Sequence, residues 1–309
     1  MTPVVGATSD APPRWQLVLA FLCIYLVWGS TYLAMKFAVD TIPPFLMGAT
    51  RFLTAGAMLV GWSAVRGRAQ TTSAAWRSAA IVGGLLLFWG NGSVAWAAQR
   101  VPSGMMSLLV ATVPLWMVLI EGSRGRRPTF AQLVGVAIGL VGVSLLVLPA
   151  DGSWQNAAID PLGAVVLTVG SLAWTAGSLY SRSAPQAAYA PMASGMQMLC
   201  GGALLLVLGV VSGEPARLSL DAVSLRSMLS VGYLIVFGSL VGFSTYMWLL
   251  RKASPSAVGT YAYVNPAVAV LLGVLLAGER LPTRGVLAMS VIVGGVALVS
   301  LAPKPGRPH

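Results

Sequence analysis

The chain is a succession of long apolar runs separated by short polar breaks. Ten runs each reach roughly the 20 residues that a helix needs to cross a bilayer. They cover 16–39, 44–65, 76–99, 102–121, 129–148, 161–181, 191–211, 228–250, 255–277 and 284–302. What lies between them is too short for a soluble domain. Strands of an outer-membrane barrel are about ten residues long and alternate in polarity, and no such alternation occurs here. The pattern therefore predicts an all-α integral membrane protein with ten transmembrane helices. The first run is longer than the 7–15 apolar residues of a signal peptide, and no small-residue cleavage site follows it, so it reads as a span.

The ten runs divide into two similar sets. Leu26, Trp28, Lys36 and Ala38 match Leu172, Trp174, Arg182 and Ala184, and Arg77-Ser78, Gly83 and Phe88 match Arg226-Ser227, Gly232 and Phe237. Pro114 and Pro128-Thr129 match Pro266 and Pro282-Thr283, in the same order. Five helices per half is an odd number, so the second half enters the membrane from the opposite face. The expectation is two inverted five-helix repeats, 16–148 and 161–302, joined by a polar loop over 149–160. In that architecture the substrate site lies near midplane between the halves.

Composition agrees with the pattern. Hydrophobic residues make up 57% of the chain and charged residues 9%, against about 25% charged in soluble domains. The net charge of +11 would suggest nucleic acid on a soluble protein. Here its distribution over the loops matters, because Lys and Arg collect on the cytoplasmic side. With the N-terminus inside, Arg14, Arg66, Arg68, Arg77, Arg124, Arg126, Arg127, Arg182, Arg251, Lys252, Lys304 and Arg307 share that side. Arg100, Arg217, Arg226, Arg280 and Arg284 fall on the other, together with Asp40, Asp151, Asp160, Glu214, Asp221 and Glu279. Both termini are thus expected in the cytoplasm, with the lipid bilayer and a small solute as partners and no nucleic acid. Monomer and homodimer are both open.

Candidate functional residues come from features that cost energy inside a membrane. Pro114 and Pro266, mid-run and matched across the halves, each remove a helical hydrogen bond and bare the carbonyl four residues back. They are candidate kinks or hinges of the pathway. Gly90-Asn91-Gly92 is expected to loosen the third helix and to present an amide, either to substrate or to a neighbouring helix. Ser239-Leu240-Val241 occupies the equivalent place, so the polar feature is one-sided. Ser254-Pro255 reads as a helix start, with Tyr263 and Asn265 two turns in. Asn265 beside the kink suits a substrate ligand and a structural bond equally. Trp28 and Trp174 lie deep and match across the repeat, so they can face each other over a cavity; Trp96 is a further candidate for its wall.

Among charged residues, Arg51 lies about seven residues inside the second span, either countering substrate charge or snorkelling to headgroups. Lys36 is placed to pair with Asp40 four residues on. Gly135 and Gly139, and Gly238 and Gly242, read as small-residue packing surfaces. Cys23 and Cys200 read as small buried hydrophobes. The chain has no carboxylate near midplane and its one histidine is His309. No HExxH, P-loop or cysteine cluster occurs, so an intramembrane enzyme, a metal site and a cofactor are all disfavoured.

Trp28-Gly29-Ser30-Thr31-Tyr32, Arg51-Phe52, Gly90-Asn91-Gly92, Val101-Pro102-Ser103-Gly104, Ala111-Thr112-Val113-Pro114, Tyr261 through Pro266 and Gly278-Glu279 resemble the EamA-type branch of the drug/metabolite transporter superfamily, in order and over nearly the whole chain. The resemblance implies a bacterial inner-membrane carrier of two EamA repeats. It implies a central cavity lined mainly by helices 1, 3, 4, 6, 8 and 9, and export of amino acids or other metabolites. One position departs from the pattern: Ala98 stands where relatives often carry Glu, which puts any coupling role of that acid in doubt here.

The expectation is an alternating-access exporter with Trp28, Arg51, Asn91, Trp96, Trp174, Tyr263 and Asn265 in its substrate site. Without a buried carboxylate, a neutral, zwitterionic or anionic solute fits better than a lipophilic cation. Facilitated export or exchange fits better than proton antiport. A passive pore and an exporter of drug-like compounds are the alternatives.

Overall fold

The computed structural model describes residues 12–125, 128–147, 160–253, 255–280 and 283–301. Most of the junction loop 149–160, together with Arg126, Arg127, Ser254, Lys304, Arg307 and His309, lies outside the described residues.

The described chain is helical throughout. Its main helices are α1 (Arg14–Ala38), α2 (Pro44–Val65), α3 (Ser73–Ala97), α4 (Ser103–Ser123), α5 (Phe130–Val147), α6 (Pro161–Ser181), α7 (Ala190–Val211), α8 (Leu225–Lys252), α9 (Tyr261–Ala277) and α10 (Thr283–Leu301). Seven of them, α1–α4 and α6–α8, are long and apolar enough to cross a membrane. The apolar stretches of α5, α9 and α10 are shorter. The helix ends agree with the apolar runs to within three residues, except that α9 starts six residues after the run 255–277 begins, because a separate short helix, Pro255–Val258, takes up its first turn.

Local chemistry explains the boundaries. Thr72, Asp160 and Ser224 are N-caps whose side-chain oxygens accept from Ala75 N, Gly163 N and Ser227 N, which satisfies donors left over in the first turn. Proline opens α2, α6 and α7, where its missing N–H costs nothing. Gly67, Gly125, Gly213 and Gly278 follow the ends of α2, α4, α7 and α9 with φ of 64°, 87°, 72° and 62°. A left-handed residue at that place turns the chain out of a helix, and glycine takes it without a Cβ clash.

The packing is paired. α2 lies along α7 and α5 along α10. α1 packs against α8 and α9, and α6 packs against α3 and α4. Small residues permit the close approaches. A Cβ on Gly135 would come within 2.7 Å of Gly295 O, and one on Gly83 within 2.3 Å of Gln197 O, so no larger side chain fits at either crossing. Gly238 and Gly242, expected on a helix-packing surface, meet α1 and α2, where Gly238 faces Arg51 and Thr31 and Gly242 faces Trp28.

Two further departures concern the charges and the helix irregularities. Lys36 does not pair with Asp40. It forms a 3.2 Å ion pair with Glu279, and Asp40 pairs with Arg226. One helix turn can be reached by either partner, and tertiary contact chose the more enclosed carboxylate. The loosening expected in the third helix alone occurs in two. Gly83–Asn91 of α3 and Leu234–Phe243 of α8 are π-helical, a wider winding that seldom persists beyond one turn.

Candidate functional site

Four helices with interrupted backbones converge on one cavity of about 60 Å³. The π-helical segment of α3 supplies Gly90 and Asn91, and that of α8 supplies Gly238 and Phe243. α4 is broken at Ala111-Thr112, just before Pro114, and contributes Val110 from the turn above the break. The turn Gly259-Thr260 separates a short helix, Pro255–Val258, from α9, whose first residue, Tyr261, lines the cavity. Irregular backbone is tolerated at membrane depth where it is buried in protein or lines a cavity. At both breaks the ladder shortens to i→i−3: Thr112 N donates to Leu109 O at 3.2 Å and Ala262 N to Gly259 O at 3.1 Å. Pro114 is buried at the start of the resumed helix. Pro266 sits inside α9, five residues after Tyr261.

An aromatic cluster forms the wall. Trp28 and Trp174 meet edge to face, ring centroids 5.5 Å apart at 82°, and Trp28 meets Tyr261 at 5.5 Å and 86°. Tyr246 packs against both tryptophans. Such contacts add about 0.5–1.5 kcal/mol each beyond area burial. Trp174 Nε1 donates to Tyr246 Oη at 3.1 Å, and Tyr246 shares a 2.7 Å hydrogen bond with Ser178, whose hydroxyl also lies 2.7 Å from Trp174 O. The Trp174 ring orientation is thus held by hydrogen bonds as well as packing. Trp28 Nε1 donates to Gly238 O at 3.4 Å, and a Cβ on Gly242 would fall 2.6 Å from that nitrogen.

Arg51 enters the cavity from α2. It is 4% exposed, so its side chain points inward and does not snorkel. Its Nε donates to Ser239 Oγ at 2.8 Å and its Nη1 to Asn91 Oδ1 at 3.4 Å, and its guanidinium carbon lies 4.6 Å from the Phe52 ring centre. Asn91 bridges onward, its Nδ2 lying 3.5 Å from Leu86 O in the same π-helical segment. A Cβ on Gly238 would approach Arg51 Nη2 to 2.8 Å, so glycine there leaves room for the guanidinium.

The structure brings Trp28, Arg51, Asn91 and Trp174 to this cavity and separates them from other candidates. Trp96 lies away from it, stacked under the Arg100 guanidinium at 3.9 Å near the end of α3. Asn265 is 2% exposed, and with its amide turned so that the nitrogen faces two carbonyls it donates to Tyr25 O at 3.1 Å and Tyr261 O at 3.2 Å. It ties α9 to α1, the structural alternative of the two. The Tyr263 side chain lies outside the described residues. The cavity wall also holds polar residues not expected in the site, Ser171 and Tyr261 among them, and Ser239 bonds Arg51 from outside the lining. Ser239 stood in the stretch aligned with Gly90-Asn91-Gly92, but only the cross-chain contact shows that it receives Arg51.

Two carboxylates staple the end of the bundle opposite the N-terminus. Glu214, 1% exposed, accepts from Phe45 N at 3.1 Å and Leu46 N at 2.7 Å, at the start of α2. Glu279 accepts from Ser103 N and Ser103 Oγ, both at 2.9 Å, and Gly104 N at 3.4 Å, at the start of α4. Each sits on the positive end of a helix dipole. Burial alone would push the Glu279 carboxyl up, but the Ser103 hydrogen bonds and the Lys36 ammonium outweigh it and hold the group below its usual range. Each follows a left-handed glycine, Gly213 or Gly278, and that recurring Gly-Glu pair was the available sequence signal.

Comparison with known proteins gives one consistent result. The family model for EamA-like transporters matches residues 15–148 and again 161–301. The chain is 40% identical over 284 residues to the inner membrane transporter YedA of Escherichia coli strain K12, covering 91% of this chain and 90% of that protein. It is 26% identical to protein PecM of Dickeya dadantii, with 88% of each chain covered. A solved crystal structure superimposes with a TM-score of 0.65 at 23% identity, over 94% of this chain and 98% of the other, which bears on the fold alone. The family and the names of these relatives indicate a transporter rather than an enzyme.

Proposed function

We propose a function from the family to which the chain belongs: it is a member of the EamA-like transporter family, and it works as an inner-membrane secondary transporter that exports small metabolites by alternating access. The solutes are amino acids or related neutral, zwitterionic or anionic compounds. The observation that carries this reading is the convergence of four interrupted helices on one cavity. Two come from each half: the π-helical α3 and α8, and the broken α4 and α9.

In this reading ten helices cross the membrane as two inverted five-helix repeats, 16–148 and 161–302, with both termini in the cytoplasm. The matched interruptions are where each half can bend. The small-residue crossings α3–α7 and α5–α10 keep those helices in close contact. Trp28, Arg51, Asn91 and Trp174 contact the solute. Pro114 and Pro266 shape the flanking turns. Among the described residues the lining holds no carboxylate, histidine or cysteine. Its role is to enclose a solute, as a carrier requires.

Counterflow in proteoliposomes is the direct test. Vesicles preloaded with unlabelled solute should accumulate labelled solute transiently against its own gradient. A passive pore gives equilibration without overshoot, and that result would remove the carrier reading. Candidate solutes come from comparing metabolites released by a deletion strain and an overexpressing strain.

A further inference from the structure

The cavity holds a positive charge that the protein itself leaves without a counter-charge. Arg51 is 4% exposed and bonds two neutral groups, Ser239 Oγ and Asn91 Oδ1. Among the described residues no carboxylate lies within ion-pair distance of it, and none belongs to the cavity lining. A buried charge with no opposite partner is strongly destabilising, and an ionisable group at membrane depth marks a substrate pathway by default. A guanidinium carries five N–H donors, and the two bonds to Ser239 and Asn91 leave donors free.

A second observation points the same way. Ser171 Oγ, from a further helix, is buried in the same wall without a hydrogen-bond partner. Buried polar atoms are nearly always satisfied in folded proteins, so an orphan on the cavity wall marks a place where a ligand atom belongs. One unpaired cation and a free hydroxyl suit the oxygens of a single carboxylate, the anion that an arginine grips bidentately. The rest of the wall is largely aromatic and aliphatic, including Trp28, Trp174, Phe243 and Val110.

We propose that the cavity binds a monocarboxylate with a small apolar body, its carboxylate on Arg51, and that an α-amino group is not required. This rests on the carrier reading above and narrows its substrate class. An anion of charge −1 leaves the filled cavity neutral. A zwitterion leaves its ammonium facing aromatic rings and hydroxyls, with no carboxylate to receive it. A neutral amide leaves the guanidinium unpaired.

The test uses the full-length protein in phosphatidylethanolamine–phosphatidylglycerol nanodiscs, with chloride held constant. Cavity tryptophan fluorescence is titrated with propionate, 2-methylpropionate and benzoate, with the matched amides, and with alanine. The acids should bind saturably, and the amides and alanine at least tenfold more weakly. Arg51→Gln should weaken acid binding at least tenfold and erase the acid–amide difference. Ser171→Ala should weaken it several-fold. Because Arg51→Gln removes an unpaired buried charge, its unliganded thermal stability should equal or exceed that of the unmodified protein; marked destabilisation would mean a structural arginine. Should Arg51→Gln fail to fold, the acid–amide comparison and Arg51→Lys, which keeps the charge, decide. Equal affinity for acids and amides, no saturable response to any acid, or undiminished binding in Arg51→Gln overturns the proposal. Arg51-dependent binding without propionate counterflow would instead remove the carrier reading and leave the site. Counterflow of another solute without acid binding would do the reverse.

Discussion

Removing the Glu279 carboxylate tests how the end of the bundle opposite the N-terminus is held. In Glu279→Ala, the α4 donors Ser103 N and Gly104 N lose their acceptor, and Lys36 loses its ion-pair partner. A hydrogen bond to a charged group contributes about 1.5–3 kcal/mol, and a carboxylate at a helix N-terminus about 0.3–1 kcal/mol, more where partly buried. The Glu279 side chain is 11% exposed, so solvent screening is incomplete. These terms overlap, and the expected loss is about 3 kcal/mol. Asp40→Asn provides the contrast. Its partner Arg226 is 61% exposed, and an exposed pair contributes about 0–1 kcal/mol. Thermal unfolding in detergent should therefore place Glu279→Ala several degrees below the unmodified protein and Asp40→Asn close to it. The carboxyl titrates below its ordinary range in the folded state. Its contribution is therefore full at neutral pH, present above the unfolded value of 4.5, and lost as pH falls through the lower folded value. Glu279→Gln should lack that acid-dependent component. Equal stability of Glu279→Ala and Asp40→Asn, or acid sensitivity unchanged in Glu279→Gln, would refute the reasoning.

Cysteines placed in 66–75, 122–127 and 183–189 should resist an impermeant maleimide in intact cells if, as the distribution of basic residues predicts, those loops face the cytoplasm. Labelling as strong as at Ser153→Cys would reverse the orientation. Pro114→Ala and Pro266→Ala should each slow transport while leaving the protein in the membrane; unchanged counterflow in both and in the double variant would show that the turns do not need proline. Gly242→Ala sets a Cβ 2.6 Å from Trp28 Nε1, an overpacking worth about 1–3 kcal/mol. It should shift tryptophan emission and weaken solute binding, and an unchanged spectrum would mean that Trp28 is not held there. Asn265→Leu should lower stability without changing which solutes bind, since its amide bonds only protein carbonyls; a changed solute preference would return Asn265 to the site.

The sequence by itself determined that the chain is helical and belongs in a membrane, and where its main helices begin and end, apart from the break before Tyr261. Those properties are local and additive: run length against bilayer thickness, proline and glycine at the ends, a hydroxyl or carboxylate at a cap. It also determined which residues were expensive enough to need a reason, among them Arg51, Asn91, Asn265, Trp28 and Trp174. It could not assign those reasons, because each depends on a partner far away in the chain. Ser239 lies 188 residues from Arg51 and Glu279 lies 176 from Ser103. Periodicity is blind to such separations. An amide beside a proline reads the same whether it meets solute or the Tyr25 carbonyl, and a lysine four residues from an aspartate reads as its partner until a glutamate comes closer. The paired π-helical segments were hidden for the same reason. Glycine-rich apolar sequence allows a wider winding, and only the helices packed against α3 and α8 decide that it occurs. Tertiary structure alone placed an arginine in an aromatic cavity with no acid beside it, because charge balance at a buried point is a property of everything packed around it.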